Sequence, residues 1–204
     1  MNGDHAGLVS VIVLSWNSRK FLEGCLTSVV RQTWPAVELI VVDNGSTDGS
    51  VRLVKERFPS AILLENGENL GFCAGNNIGL KRSRGVYTLF LNADATLDPT
   101  YIEEALKPFA EDKRTGMVAG KVLRFDRRTV DTTGQILTRS RRVRERGYGE
   151  EDRGQHDQPG EVFSVCGAVA LYRRSAIDDV SVDGNVLYTV VTAANGEEAL
   201  DVMK

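Results

Sequence analysis

An open, mostly parallel α/β sheet with helices on both faces is the fold class predicted by this 204-residue sequence. Three observations predict it. Apolar β-branched runs recur along the first half of the chain, segments with apolar side chains at three- and four-residue spacing separate them, and a polar cluster follows most of the runs. Runs without polar alternation are strands buried on both faces, and strands alternating with helices build β–α–β units with parallel pairing.

Leu8 to Leu14 is the first such run. After Ser15-Trp16-Asn17-Ser18, apolar side chains at Phe21, Leu22, Cys25, Leu26, Val29 and Val30 predict a helix with Ser18 as its N-cap. Pro35 follows, and Val37 to Val42 is the second strand. Asp43-Asn44-Gly45-Ser46-Thr47-Asp48-Gly49 is turn chemistry leading into a short helix over Val51 to Phe58. Ala61 to Leu64 is a third strand, Gly71 to Arg84 a helix and Val86 to Leu91 a fourth strand. Asp98, as N-cap, and Pro99, in the first turn, open another helix. Beyond residue 110 the alternation weakens. Met117 to Phe125 and Gln135 to Thr138 read as strands, and the polar stretch Arg139 to Gly160 as a mobile loop. Glu161 to Tyr172 is apolar again, and a short helix starts at Arg173.

Composition narrows the function classes. Hydrophobic residues make up 42% and charged residues 26%, which excludes disordered, collagen-like and disulfide-scaffold chains. The 25 Lys and Arg against 28 Asp and Glu give a net charge of −3, which argues against nucleic acid as the main partner. The sequence shows neither an apolar run of the roughly 18–20 residues a membrane helix needs nor a signal segment at residue 1. Cys25, Cys73 and Cys166 are odd in number and lack metal-ligand spacing, so they read as reduced core thiols of a cytoplasmic protein. His5 and His156 lie in polar segments and take no role.

In an open parallel sheet, ligands bind beyond the carboxyl ends of the strands. Three polar clusters fall there: Ser15-Trp16-Asn17, Asp43-Asn44-Gly45-Ser46 and Asn92-Ala93-Asp94. The glycine fingerprints of dinucleotide-binding and P-loop proteins do not occur. Asp94, among small neighbours, suits either a hard divalent cation bridging phosphate oxygens or an ordinary turn cap. Asp43 is equally compatible with a ligand contact and a tight turn. Gly67, Gly71, Gly75 and Gly79, with Asn69, Asn76 and Asn77, allow backbone near a ligand, although close packing of a helix on the sheet explains the glycines slightly better. Arg139, Arg141, Arg142, Arg144 and Arg146 read first as a solvated face and second as a contact for a diphosphate.

Taken together the clusters resemble the family 2 glycosyltransferases of the GT-A fold, in particular the bacterial rhamnosyltransferase-like branch. The matching stretches are Val9-Ser-Val-Ile-Val-Leu-Ser-Trp-Asn17, Leu39-Ile-Val-Val-Asp-Asn-Gly-Ser-Thr-Asp-Gly-Ser50, Asn69-Leu-Gly-Phe-Cys-Ala-Gly-Asn-Asn77, Leu89-Phe-Leu-Asn-Ala-Asp94 and Cys166-Gly-Ala-Val-Ala-Leu-Tyr-Arg-Arg174. They run in family order over about residues 8 to 183. The resemblance implies transfer of a sugar, with inversion, from a nucleoside diphosphate donor to the hydroxyl of an acceptor glycan or glycolipid, in the making of cell-surface polysaccharide or glycolipid. It implies that Ser15, Trp16 and Asn17 border the nucleotide and that Asp43 hydrogen-bonds its base. Asn69, Gly71 and Asn76 would flank the donor, Asn92 would face the ribose, and Asp94 would ligate Mg²⁺ or Mn²⁺ on the diphosphate. A cytoplasmic protein follows, with peripheral association at the inner face of the cell membrane left open.

The resemblance changes at the carboxyl end. The family's Glu-Asp-x-Asp motif, source of its general base, has no counterpart after Asp178-Asp-Val-Ser-Val-Asp-Gly184, and besides Asp183 within that stretch the only later acids are Glu197, Glu198 and Asp201. The expectation is a transferase-like domain over residues 1–183, incomplete at its C-terminal end, with no catalytic residue assigned. Residues 184–204 form a foreign-looking tail, in which Tyr188 to Leu200 resembles a fragment of a response-regulator receiver domain without its acidic pocket. Two functions are expected from this: a metal-assisted glycosyltransferase, or a sugar-nucleotide-binding module that lacks the base.

Overall fold

The computed structural model describes residues 7–180 in full and residues 181, 182, 185 and 186 by their backbone. The alternation read from the sequence is realised in order: β1 (Val9–Ser15), α1 (Arg19–Val30), β2 (Val37–Asp43), α2 (Ser50–Arg57), β3 (Ile62–Glu65), α3 (Gly71–Arg82), β4 (Tyr87–Asn92) and α4 (Tyr101–Glu111). Next come the short strands β5 (Met117–Val118), β6 (Val122–Leu123), β7 (Val130–Thr132), β8 (Gln135–Leu137) and β9 (Val143–Glu145). β10 (Val169–Arg173), α5 (Arg174–Asp179), β11 (Ser181–Val182) and β12 (Asn185–Val186) complete the described chain.

The central sheet has the order β3-β2-β1-β4-β10-β5. β1 pairs in parallel with β2 and β4, and β2 with β3, whereas β10 runs antiparallel to both β4 and β5. Both faces are covered, which explains the unbroken apolar runs. Val9, Val11 and Val13 of β1 pack with Leu22, Leu26 and Val29 of α1, Leu53 of α2 and Ile102 and Phe109 of α4. Ile12, Ile40, Val42 and Phe90 pack on the other side with Leu80 of α3 and Ile177 of α5. α3 approaches β1 closely through glycine: a Cβ on Gly75 would lie 2.4 Å from Leu14 Cδ1, and one on Gly79 would lie 2.5 Å from Ile12 Cγ2.

At the amino end of the sheet, Ser10 Oγ donates to Glu38 Oε1 at 2.5 Å and accepts from Gly85 N–H at 2.8 Å. The Arg84 N–H and guanidinium also donate to the Glu38 carboxylate, at 2.6 Å and 3.1 Å. The network ties the starts of β1 and β2 to the turn before β4.

Several sequence expectations are corrected. Ser18 is the N-cap of α1 as expected, although its side chain makes no cap hydrogen bond and Asp48 Oδ2 accepts the Arg19 N–H at 2.9 Å. The N-cap of α4 is Thr100, not Asp98, which builds the preceding turn by accepting the Thr100 N–H at 3.0 Å. Met117 to Phe125 is two strands, since β5 joins the main sheet and β6 leaves it to pair with β7. The expected mobile loop from Arg139 to Gly160 contains β9, a bridge between Thr129 and Glu151, and ion pairs from Lys121 to Asp152 (2.8 Å) and Asp157 (2.5 Å). β9 is only three residues long, too short for a period to show in sequence, whereas its partner β8 is the strand expected over Gln135 to Thr138. Of the cysteines only Cys25 is buried, Cys73 and Cys166 being half-buried, and none of the three forms a disulfide. The boundary at 183 and the tail from 184 lie outside the described residues, apart from the backbone pairing of β11 with β12.

Candidate functional site

The strand order reverses direction at β1, with β2 on one side and β4 on the other. A crevice opens at the carboxyl ends of strands at such a switch point. The register brings the sequence-predicted residues to that rim: Ser15 pairs with Asp43 across β1 and β2, and Leu14 pairs with Asn92 across β1 and β4. Adjacent strands lie roughly 4.8 Å apart, so the three polar clusters share one edge.

Asp43 is buried. Its Oδ2 accepts the Ser46 N–H at 2.8 Å, while its Oδ1 has no partner among the described residues. Ser15, its neighbour across the strands, is also buried and its hydroxyl is likewise unpartnered. Buried polar atoms are almost always paired in a finished structure, because leaving one desolvated costs about 1–3 kcal/mol. Two orphans stand side by side at the carboxyl rim, where a ligand could complete them, and the third such atom among the described residues, Thr88 Oγ1, lies inside β4. Asn17 has a left-handed backbone (φ 50), which Asn tolerates better than most residues. Its N–H donates to Ser46 Oγ at 2.9 Å and its Oδ1 accepts the Thr47 N–H at 2.8 Å. That clasp between the β1 and β2 loops holds a turn in which Trp16 is 54% exposed at the rim.

A second layer of amides supports the clasp. Asn44, buried, donates from Nδ2 to Asn69 Oδ1 (3.2 Å) and the Gly71 carbonyl (3.1 Å), and its Oδ1 accepts from Asn66 Nδ2 at 2.7 Å. Asn69 Oδ1 also accepts the Gly71 N–H at 2.9 Å. Asn69 and Gly71 are thereby fixed at the start of α3, and Gly71 has a left-handed φ of 81° with open space on its Cβ side. Asn76 lies deeper. It is buried within α3, its Nδ2 donating to the Phe72 carbonyl at 3.0 Å, so it braces the helix below the rim. The glycines divide in the same way, Gly75 and Gly79 serving packing and Gly67 and Gly71 facing open space. Sequence reasoning placed Asn44 and Ser46 in a rim cluster and Asp48 in the turn without giving them roles of their own, and it passed over Asn66. Only the polar density of the Asp43–Gly49 turn and the position of Asn66 just past β3 could have signalled them.

Beyond β4, Asp94 is exposed and forms no hydrogen bond or ion pair with the described residues. Burial, and then the nearby Asp94 charge, push the Cys25 thiol up to about 12. Cys25 Sγ donates to the Asn92 carbonyl at 3.5 Å, and the Asn92 N–H donates to the Ala168 carbonyl at 2.9 Å, fixing the loop that carries Asp94. Among the described residues no group of three or more His, Cys, Asp or Glu converges as a metal cage. A lone free carboxylate still suits Mg²⁺ or Mn²⁺, since Mg²⁺ is commonly bound by one or two carboxylates with the substrate phosphates and water completing the shell.

A groove of about 380 Å³ is lined by Glu23 and Thr27 of α1, by Arg31 at its C-cap, by Thr96 in the segment after β4 and by Arg127, among others. A larger one, about 520 Å³, opens at the amino end, where Arg84, Arg173 and Arg174 line it. Those guanidiniums hold Glu38, the Thr115 and Phe109 carbonyls and Asp178, so that groove is structural.

The sheet order and the edge it creates at β1 and β4 place the molecule in the GT-A class of folds. Residues 10–181 match the family model described as glycosyl transferase family 2, and the chain belongs to that family. The glycosyltransferase GlyA of Streptococcus pneumoniae serotype 4 is 35% identical over 105 residues, which are 50% of this chain and 15% of that protein. TarS 1-349 of S. aureus, solved in complex with UDP, has a TM-score of 0.53 at 26% identity over 57% of this chain and 36% of its own. The mannosyltransferase PcManGT from Pyrobaculum calidifontis, solved with GDP-Man and Mn²⁺, has a TM-score of 0.60 at 23% identity over 87% of this chain and 49% of its own. The chain thus spans less than half the length of each of these proteins. Among the described residues no helix is long and apolar enough to cross a membrane.

Proposed function

We propose that this chain binds a nucleoside diphosphate sugar at the carboxyl rim and transfers the sugar to an acceptor hydroxyl. The observation that carries the reading is the buried, half-paired Asp43 carboxylate beside the unpaired Ser15 hydroxyl, at the fold's switch point. Asp43 Oδ1 would accept an N–H of the nucleotide base, with Trp16 and Asn17 bordering the base. Asn69 and Gly71 would flank the donor, and Asn92 would face the ribose. Asp94 is the side chain that would hold Mg²⁺ or Mn²⁺, and the chemistry supplied by such a cation is neutralisation of charge on the departing diphosphate. Transfer is read as a single displacement: the acceptor oxygen bonds to the anomeric carbon as the bond to the diphosphate breaks, with inversion. The product of such a transfer would be a cell-surface polysaccharide or glycolipid. The reaction is read as cytoplasmic, and a lipid-linked acceptor would bring it to the inner face of the cell membrane.

A second reading, a donor-binding module without transfer, is favoured by one observation: no Glu-Asp-x-Asp motif occurs anywhere in the sequence. Thermal melts with UDP-, GDP- and dTDP-linked sugars, with and without Mn²⁺, test donor binding. A ligand at 100 times its Kd stabilises a fold by about 2.7 kcal/mol. One nucleotide class should raise Tm, and more so with the cation; no shift with any donor would contradict both readings. Release of nucleoside diphosphate on adding a glycan or glycolipid acceptor distinguishes transfer from binding alone, the loss of a general base commonly lowering the rate about 10²–10⁴-fold.

A further inference from the structure

The arginine-rich stretch that the rim does not use has a structure of its own. β8 and β9 form a hairpin that sets Ile136 opposite Arg144 and Leu137 opposite Val143. A bridge from Gln135 to Ser164 lays the 163–164 segment along the other edge of β8, with the Phe163 N–H on the Gln135 carbonyl at 2.8 Å. Strand alternation turns Gln135 inward, where it is buried, and Ile136 outward, between Phe163 on one edge and Arg144 on the other. Ile136 is 43% exposed, Leu137 47% and Phe163 40%.

The exposed charges of the hairpin itself are of one sign, while Glu161 is an exposed acid on the segment that leads into Phe163. Arg139, Arg141, Arg142 and Arg144 are exposed, and neither they nor Arg146 form an ion pair with a described residue. The hairpin's one acid, Glu145, is turned inward, where its carboxylate accepts from the Thr132 hydroxyl and from Gln135 Nε2. The tip is held in shape: Thr138 Oγ1 donates to the Arg142 carbonyl at 2.9 Å and accepts the Arg142 N–H at 3.1 Å, around a left-handed Arg141 (φ 58). A fixed, uncompensated cationic hairpin with apolar side chains thus stands on a chain whose net charge is −3.

We propose that this hairpin docks the chain onto an anionic lipid bilayer, its arginines meeting lipid phosphates while Ile136, Leu137 and Phe163 enter the headgroup boundary. Charge complementarity sets the sign of the partner, and the apolar side chains set its kind. A soluble polyanion would satisfy the arginines but leave three apolar side chains in water, whereas a bilayer interface takes both. The inference deepens the membrane-face location given above and rests on it for its use in the cell, although adsorption itself needs no donor.

Co-sedimentation of the full chain with vesicles of phosphatidylcholine, alone or mixed with phosphatidylglycerol, tests it. Binding is expected only to the anionic vesicles and should fall steeply with salt. Each arginine near such a surface contributes about 1 kcal/mol, or roughly five-fold, so Arg141→Gln with Arg142→Gln should weaken binding about thirty-fold. Ile136→Ser should weaken it roughly ten-fold with every arginine intact, and Arg52→Gln on α2 should leave it unchanged. The proposal is overturned if the wild-type chain stays in solution or binds neutral vesicles equally. It also fails if the double variant binds like wild type, or if heparin captures wild type and Ile136→Ser alike while vesicles capture neither. Nucleotide-dependent melting of the same preparations reports the rim separately: vesicle binding without any nucleotide effect would count against the transferase reading and leave this one standing.

Discussion

Asp43 is held on one side only, with Oδ2 on the Ser46 N–H and Oδ1 buried without a partner beside the Ser15 hydroxyl. A residue kept for a ligand leaves the ligand-free fold less stable than it could be. Asp43→Asn keeps the acceptor for Ser46 and removes the desolvated charge, so Tm without ligand should hold or rise. Nucleoside diphosphate affinity should fall roughly 10- to 100-fold, the worth of a hydrogen bond to a charged group. Isothermal titration and melts on the same variant check both halves, and parallel losses of stability and affinity would show a purely structural carboxylate. The Glu38 carboxylate, at the opposite end of the sheet, is fully partnered. Burial alone would raise its pKa, but hydrogen bonds from the Ser10 hydroxyl and from the Arg84 N–H and guanidinium outweigh it and hold the carboxyl below the ordinary 4.5. A carboxyl depressed in the folded state stabilises the fold fully above its unfolded pKa and loses that contribution as pH falls through the folded one. Melts of the wild-type chain should therefore decline below about pH 4.5. Glu38→Gln should be less stable at neutral pH by roughly 1–3 kcal/mol and lack that part of the decline.

At the scale of elements, α3 shows how much was legible. Its position, and the packing reason for Gly75 and Gly79, could be read from the sequence because small residues at four-residue spacing serve helix–sheet contact. Adding a methyl there forces Leu14 or Ile12 to move, so Gly75→Ala and Gly79→Ala should each destabilise by roughly 1–3 kcal/mol, measurable by urea unfolding. The strands from β1 to β4 were legible for a similar reason: burial on both faces leaves an unbroken apolar signature. The caps were not. Ser18 and Asp98 have the right residue type, yet the α1 N-terminus is satisfied by Asp48, 29 residues away in sequence and brought near only by the sheet. Asp48→Ala should cost about 1 kcal/mol, as loss of an N-cap does. The strand β8 was legible as Gln135 to Thr138, but β9 escaped because three residues cannot display a period and its pairing with β8 depends on turn hydrogen bonds at Thr138.

In the whole molecule, polar chemistry divides between the two ends of one sheet. The amino end is closed by Ser10, Glu38 and Arg84, while the carboxyl end keeps Ser15, Asp43 and Asp94 unsaturated at adjacent strands. Convergence of the three clusters on one rim could be inferred from topology before any coordinates. The amide layer of Asn44 and Asn66 beneath them could not, since nothing local in sequence marks a side chain that bridges two loops. If the rim is a donor site, removing divalent cations with EDTA should leave the fold intact, because Asp94 holds nothing together, while weakening nucleotide binding. The central claim is that Asp43 and Asp94 serve one cation-dependent nucleotide pocket. Its most direct measurement is calorimetric titration of nucleoside diphosphate with Mn²⁺ into wild type, Asp43→Asn and Asp94→Ala. The account predicts saturable heat in wild type, a loss of affinity in Asp43→Asn, and heat in Asp94→Ala that no longer depends on Mn²⁺; no heat in wild type, or the same isotherm in all three, would contradict it.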